Sequence, residues 1–119
     1  MKDGFIRVAA ASPKLKVADC DYNKDELIRM VKEANEKKVK LLVFPELCIS
    51  GYTCGDLFLQ DSLLESCENA LADLLKQTEA YDILFVVGMP YIYMNKLYNV
   101  AVFCKSGEIL MMVPKTNIP

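Results

Sequence analysis

The sequence predicts an α/β domain built on a mixed sheet. Two segments with the periodicity of amphipathic helices alternate with short, continuous apolar runs typical of buried strands, and this alternation implies helices that cover a sheet. The last two apolar runs are separated only by a short turn, which indicates an antiparallel pair. The expected order is therefore β-α-β-α-β-β-β, without an internal repeat or a linker-like segment.

The first half of the chain contains the parallel part of that sheet. Residues 5–11 form an apolar run that predicts the first strand, and residues 23–38 predict a helix that begins at Asn23 as its N-cap. The second strand is expected over residues 41–44. It ends at Pro45, because proline cannot donate a hydrogen bond to a neighbouring strand.

The second half contains the most regular helical pattern and the strands of the antiparallel pair. A capping box begins at Ser62, and apolar residues recur after it on one helical face. A third strand is predicted over residues 83–89, ended by the Gly-Met-Pro segment, and an antiparallel pair over 97–104 and 109–113.

The composition fits one folded domain, or part of one, and excludes several classes of function. The chain has 119 residues, 53% of them apolar, and its 14 Lys and Arg against 16 Asp and Glu give a net charge of −2. The apolar fraction is too high for a disordered chain. The balanced charge argues against nucleic acid as a partner, since that affinity depends on clustered Lys and Arg.

Histidine is absent, which restricts the chemistry available within these residues. Ser-His and Cys-His pairs and imidazole-ligated metals are excluded, so proton transfer would fall to a carboxylate, Lys, Tyr or Cys. The five cysteines are odd in number and form no CxxC pair, which favours thiols in a reducing cytosol over disulfides or zinc. The apolar runs are too short for a signal peptide or a membrane span, so we expect a cytoplasmic protein.

Two charged residues follow predicted strands directly. Glu46 comes after the second strand and Lys115 after the last one. In α/β sheets, ligands and catalytic groups collect at the carboxyl ends of strands. Position alone favours a structural ion pair or a solvated carboxylate for Glu46, and a surface lysine for Lys115.

The loop that contains Glu46 resembles a known catalytic motif. Residues 44–58, Phe-Pro-Glu-Leu-Cys-Ile-Ser-Gly-Tyr-Thr-Cys-Gly-Asp-Leu-Phe, closely resemble the first catalytic motif of the nitrilase, or carbon-nitrogen hydrolase, superfamily. The part from 51 to 58 is similar to the glutaminase domain of glutamine-dependent NAD synthetases, and residues 99–101 and 113–119 continue the match. The resemblance implies a nitrilase-like α-β-β-α sandwich, incomplete in this chain, with residues 1–119 as the N-terminal portion of a single domain.

The resemblance also implies roles for individual residues. That family uses a Glu-Lys-Cys triad, in which Glu46 matches the general base and Lys115 the lysine that stabilises the oxyanion. The nucleophilic cysteine would lie beyond residue 119, so this chain alone is expected to be inactive. Tyr52 either contacts the glutamine substrate or fills its own loop. Cys48 and Cys54 are expected to be packing or loop thiols.

The expected reaction is hydrolysis of the glutamine side-chain amide. By resemblance, the ammonia passes to a synthetase domain that uses ATP and Mg to make NAD, while the present residues bind no cofactor or metal. We further expect a homo-oligomer. If the triad assignment is right, Glu46 and Lys115 lie side by side, within about 7 Å.

Two alternatives remain at this point. The first is part of a stand-alone nitrilase-type amidase that acts on another amide. The second is a non-catalytic, flavodoxin-like binding module, although the chain has no Gly-rich phosphate loop and no acidic pair after its first strand.

Overall fold

The computed structural model describes residues 7–51 and 61–117, with side chains up to Lys115. Their elements follow the predicted β-α-β-α-β-β-β order. In chain order they are β1 (Val8–Ala10), α1 (Cys20–Glu36), β2 (Leu41–Val43), α2 (Asp61–Gln77), β3 (Leu84–Tyr93), β4 (Lys96–Lys105) and β5 (Glu108–Asn117).

The five strands form one mixed sheet in sequential order, β1-β2-β3-β4-β5. The first three are parallel, whereas β3, β4 and β5 pair antiparallel. Two reversals of direction make β5 run the same way as β2 and β3. The carboxyl ends of β2 and β5 and the beginning of β4 therefore lie at the same end of the sheet.

The core lies between the helices and one face of the sheet. Alternate strand residues such as Leu42, Phe85 and Val102 join the buried cluster formed with α1 and α2. On the opposite face, Val43 and Met111 are exposed. The two faces of the sheet thus differ, and the helices cover only one of them.

The predicted start of α1 at Asn23 is wrong. The helix begins at Cys20, and the Asp19 carboxylate caps it by accepting a 3.0 Å hydrogen bond from the Tyr22 N–H. Asn23 lies inside the helix and is fully buried, with its amide donating to the carbonyls of Lys16 and Ile49. Asn23 therefore joins two loop carbonyls inside the core, although its residue type and spacing indicated an N-cap.

The predicted end of the third strand is also wrong, because β3 continues through Gly88 and Pro90 to Tyr93. The Gly88 N–H and C=O both point away from β4, towards Cys48 and Ile49. Two residues later the Pro90 nitrogen has the same orientation. Its missing N–H therefore costs β4 no hydrogen bond.

The last strand is longer than predicted, and this changes the place of Lys115. We expected β5 to end at residue 113, with Lys115 just after it. Instead β5 extends to Asn117, so Lys115 lies within the strand. Pro114 is accommodated because β5 is at the edge of the sheet and its pairing is irregular there.

Lys24 joins the two helices. Lys24 of α1 is only 8% exposed. Its Nζ lies 2.8 Å from Asp25 Oδ1 and 2.7 Å from Asp73 Oδ2 on α2. Burial acts to lower the pKa of Lys24, but the two carboxylates outweigh it and hold that pKa above its usual value.

We predict that Lys24→Met lowers the free energy of unfolding by about 1–3 kcal/mol, because it removes the buried cation that joins α1 to the Asp73 carboxylate of α2. Urea denaturation measures the change. Lys32→Met, at an exposed position of the same helix, is the matched control and should have little effect. Equal losses in both variants would contradict the bridging role.

Candidate active site

Glu46 lies three residues after the end of β2 and begins the turn over residues 46–51. Two neighbours fix this turn. The Ile49 N–H donates to the Gly88 carbonyl at 3.1 Å, and the Asn23 side chain of α1 donates to the Ile49 carbonyl at 3.0 Å. The turn is therefore held by both the sheet and the first helix, and these contacts fix the backbone position of Glu46.

Gly88 allows this turn to approach the sheet. A Cβ at position 88 would lie 2.4 Å from the Leu47 nitrogen and 3.1 Å from the Glu46 carbonyl carbon. Real Cβ atoms do not come so close to backbone, so any side chain here would displace the turn. Sequence reasoning missed this role, although a glycine within an apolar strand is itself a signal of close backbone approach.

A bulge in β5 positions Lys115. Pro114 pairs with Val100 and Thr116 pairs with Asn99, which leaves Lys115 as the extra residue between them. Such bulges redirect a side chain relative to the regular alternation of a strand. Here the Lys115 Nζ donates to Glu46 Oε1 at 3.1 Å, although 69 residues separate the two.

The predicted proximity of Glu46 and Lys115 is thus confirmed, well within the expected 7 Å. Both side chains are partly open to solvent, with 58% of Glu46 and 45% of Lys115 exposed. A small cavity of about 50 Å³ adjoins them, lined also by Val43, Gly88 and Asn99. The pair therefore lies at this end of the sheet, where a reacting group can reach it.

Asn99 is a site residue that the sequence analysis did not single out. Its Nδ2 donates to Glu46 Oε2 at 3.2 Å, so each carboxylate oxygen has its own donor. Unlike Lys115, Asn99 is buried. The sequence offered a polar residue in a largely apolar strand and a family match over residues 99–101, but the contact with Glu46 depends on a register that sequence cannot supply.

The surroundings of Glu46 favour its charged form. The hydrogen bond and positive charge of Lys115, and then the hydrogen bond from Asn99, lower the pKa of Glu46 despite a small opposing effect of burial. The carboxylate is therefore ionised at neutral pH. It can accept a proton beside a cation that stabilises negative charge.

The four cysteines that the structure describes are all buried. Cys48 accepts a hydrogen bond from the Gly88 N–H, and burial raises the pKa of its thiol to about 12. Burial likewise raises the pKa of Cys104 to about 12. Cys20 and Cys67 lie in the helical layer with their sulfurs 3.3 Å apart. None of these four forms a disulfide, and the packing role expected of Cys48 agrees with its burial.

Two residues of the predicted motif lie outside the described part of the chain, and that part has neither a metal-binding cluster nor a membrane-spanning helix. Tyr52, the predicted substrate contact, and Cys54 are not among the residues that the structure describes. Within residues 7–51 and 61–117, no group of three or more His, Cys, Asp or Glu could hold a metal ion. In the same part of the chain, no helix is long and apolar enough to cross a membrane.

Residues 7–117 match the model of the carbon-nitrogen hydrolase family, so the chain belongs to that family. The predicted resemblance and α/β class are confirmed, and the flavodoxin-like alternative is set aside. Over 118 residues the chain is 41% identical to the glutamine-dependent NAD(+) synthetase of Mycobacterium bovis. That match covers 98% of this chain and 17% of the relative.

Solved structures agree with this assignment. A glutamine-dependent NAD(+) synthetase from Cytophaga hutchinsonii superposes with a TM-score of 0.87 at 27% identity, over 96% of this chain and 19% of that one. An amidase from Nesterenkonia sp. gives a TM-score of 0.84 at 22% identity, over 100% of this chain and 46% of that one, and shows the shared fold. The chain spans less than a fifth of these synthetases and provides part of a nitrilase-like sandwich.

We predict that Gly88→Ala destabilises the chain by more than about 1 kcal/mol and displaces Glu46 from Lys115, because the added methyl would overlap backbone atoms. Denaturant unfolding measures the loss of stability, and a structure of the variant measures the separation of the two side chains. Unchanged stability with the ion pair intact would show that Gly88 does not hold the turn in place.

Proposed function

We propose that this chain is the N-terminal part of the glutaminase domain of a glutamine-dependent NAD synthetase. The observation that carries the proposal is the Glu46–Lys115 pair, joined at 3.1 Å at the end of β2. The identity to NAD synthetases over nearly the whole chain supports the choice of glutamine as substrate. Residues 1–119 would then contribute the base and the lysine of one carbon-nitrogen hydrolase domain.

Glu46 is the proposed general base. It is ionised at neutral pH, with a pKa below its usual value, and its exposure lets it reach a thiol. It takes the thiol proton of a cysteine outside residues 1–119, and the thiolate attacks the amide carbon of glutamine. Lys115 remains protonated and stabilises the oxyanion of the tetrahedral intermediate.

The same carboxylate serves in the second half of the reaction. When the C–N bond breaks, Glu46 returns its proton to the departing ammonia and a thioester remains. Glu46 then takes a proton from water, whose oxygen attacks the thioester carbon. The thiol leaves with that proton, and glutamate is released.

The resemblance to the family is the reason for proposing a nucleophile outside residues 1–119, and the four described thiols are unsuited to the role. Burial keeps Cys48 and Cys104 protonated at neutral pH, and Cys20 and Cys67 lie in the helical layer. This supports the expectation that residues 1–119 alone do not hydrolyse glutamine.

The remaining parts of the proposal extend beyond these residues. Ammonia would pass to a separate synthetase domain that binds ATP and Mg and amidates the NAD precursor in the cytoplasm. Tyr52 is proposed to contact glutamine, and the complete protein is proposed to be a homo-oligomer. An amidase acting on another small amide is the second candidate, and a synthetase segment after residue 119 would exclude it.

In the complete polypeptide, we predict that Glu46→Gln reduces glutamine-dependent activity by at least a hundredfold, because it removes the base while keeping the shape. Ammonia-dependent amidation should persist, since that reaction occupies another domain. A coupled glutamate assay and an NAD assay measure the two activities.

Glu33→Gln is the matched control, because Glu33 is also an exposed carboxylate in a 3.1 Å pair with a lysine, Lys37. It should retain both activities. Glutamine turnover within tenfold of wild type in Glu46→Gln would make Glu46 a structural carboxylate and would contradict the proposed mechanism.

A further inference from the structure

We propose that Asn99 is a positioning residue that fixes the orientation of the Glu46 carboxylate through Oε2. The inference rests on the proposed function in one respect, namely that Glu46 is the base. The contact itself is independent of that function, since it is a 3.2 Å hydrogen bond between two side chains 53 residues apart.

The two donors to Glu46 differ in rigidity. Lys115 reaches Oε1 at the end of a long, flexible side chain that is 45% exposed. Asn99 is 7% exposed, and its backbone pairs with Pro90 on one side and Thr116 on the other. A lysine alone would leave the carboxylate free to rotate. The buried amide supplies a fixed second point, and two points set the plane of the group.

The orientation of the Asn99 amide is dictated by the carboxylate. Turned around, its Oδ1 would face Glu46 Oε2 and the two oxygens would repel each other. In the observed orientation Oδ1 is buried and accepts no hydrogen bond from the described residues. A buried, unpaired acceptor is unfavourable, and a leucine of similar size would avoid it. Packing alone therefore does not account for an amide at this position.

Asn99 is also neutral, and this separates its role from that of Lys115. Replacing it with leucine removes the donor without changing the net charge beside Glu46. Replacing it with aspartate keeps the shape but places an acceptor, and at neutral pH a second negative charge, against Oε2. Asn99→Leu therefore removes only the hydrogen bond to Glu46, whereas Asn99→Asp also adds a negative charge beside it.

The test uses the complete polypeptide with Asn99→Leu and Asn99→Asp. We expect the glutaminase kcat to fall roughly tenfold to a hundredfold in both variants, with KM for glutamine within about threefold, because the base is misoriented while the substrate contacts remain. The acid limb of the kcat/KM profile should move to higher pH, further in Asn99→Asp than in Asn99→Leu. Ammonia-dependent activity should be unchanged.

Val102→Ala is the matched control, because Val102 is buried on the same strand and belongs to the core on the helix side of the sheet. It should lower stability without moving the acid limb. Unchanged kcat and acid limb in both Asn99 variants would overturn the proposal, as would equal losses of glutamine- and ammonia-dependent activity. Since aspartate matches the shape of asparagine, Asn99→Asp still provides the test if Asn99→Leu does not fold.

A second measurement separates this inference from the proposed function. A carbon-13 NMR titration of the Glu46 carboxyl reports the contact whether or not the protein hydrolyses glutamine. If wild type has no glutaminase activity, the proposed function fails. A higher Glu46 pKa in Asn99→Leu, which loses the donor without gaining a charge, would then still support the positioning role, and an unchanged pKa would overturn it.

Discussion

The close approach between β3 and the turn after β2 is the constraint on which the site depends. Gly88 leaves room for the peptide that joins Glu46 to Leu47, and the same turn bonds to β3 through Ile49. Asn23 holds the turn from the helical side. Glu46 is therefore presented by a backbone that core packing determines, and only its side chain remains to be oriented at the open edge of the sheet.

The pairing of Glu46 with Lys115 contributes little to stability, because both groups are substantially exposed and such pairs are worth at most about 1 kcal/mol. Its value is chemical. The bulge in β5 turns a lysine towards a carboxylate from across the sheet, and the cation lowers the pKa of that carboxylate. The arrangement places a base and a positive charge where an amide carbonyl and a thiol could both reach them.

Sequence patterns predicted the element order, because apolar runs and helical periodicity are local features. The two charged site residues were predicted from the resemblance of their motifs to those of the family. Features that depend on pairing were not predictable in the same way. The start of α1 was misplaced because Asn23 has a buried tertiary partner, and β3 was cut short because the tolerance of Pro90 depends on which side its nitrogen faces. Asn99 was missed because only the register of β4 brings it to Glu46.

We infer that Lys115 lowers the pKa of Glu46, and a titration of the Glu46 carboxyl in Lys115→Met tests this most directly. The account predicts a Glu46 pKa below the usual glutamate value in wild type and a clear rise in Lys115→Met. Lys105→Met removes a lysine of the same 45% exposure that pairs with Asp82 instead, and should leave the Glu46 pKa unchanged. An equal Glu46 pKa in wild type and Lys115→Met would contradict the account.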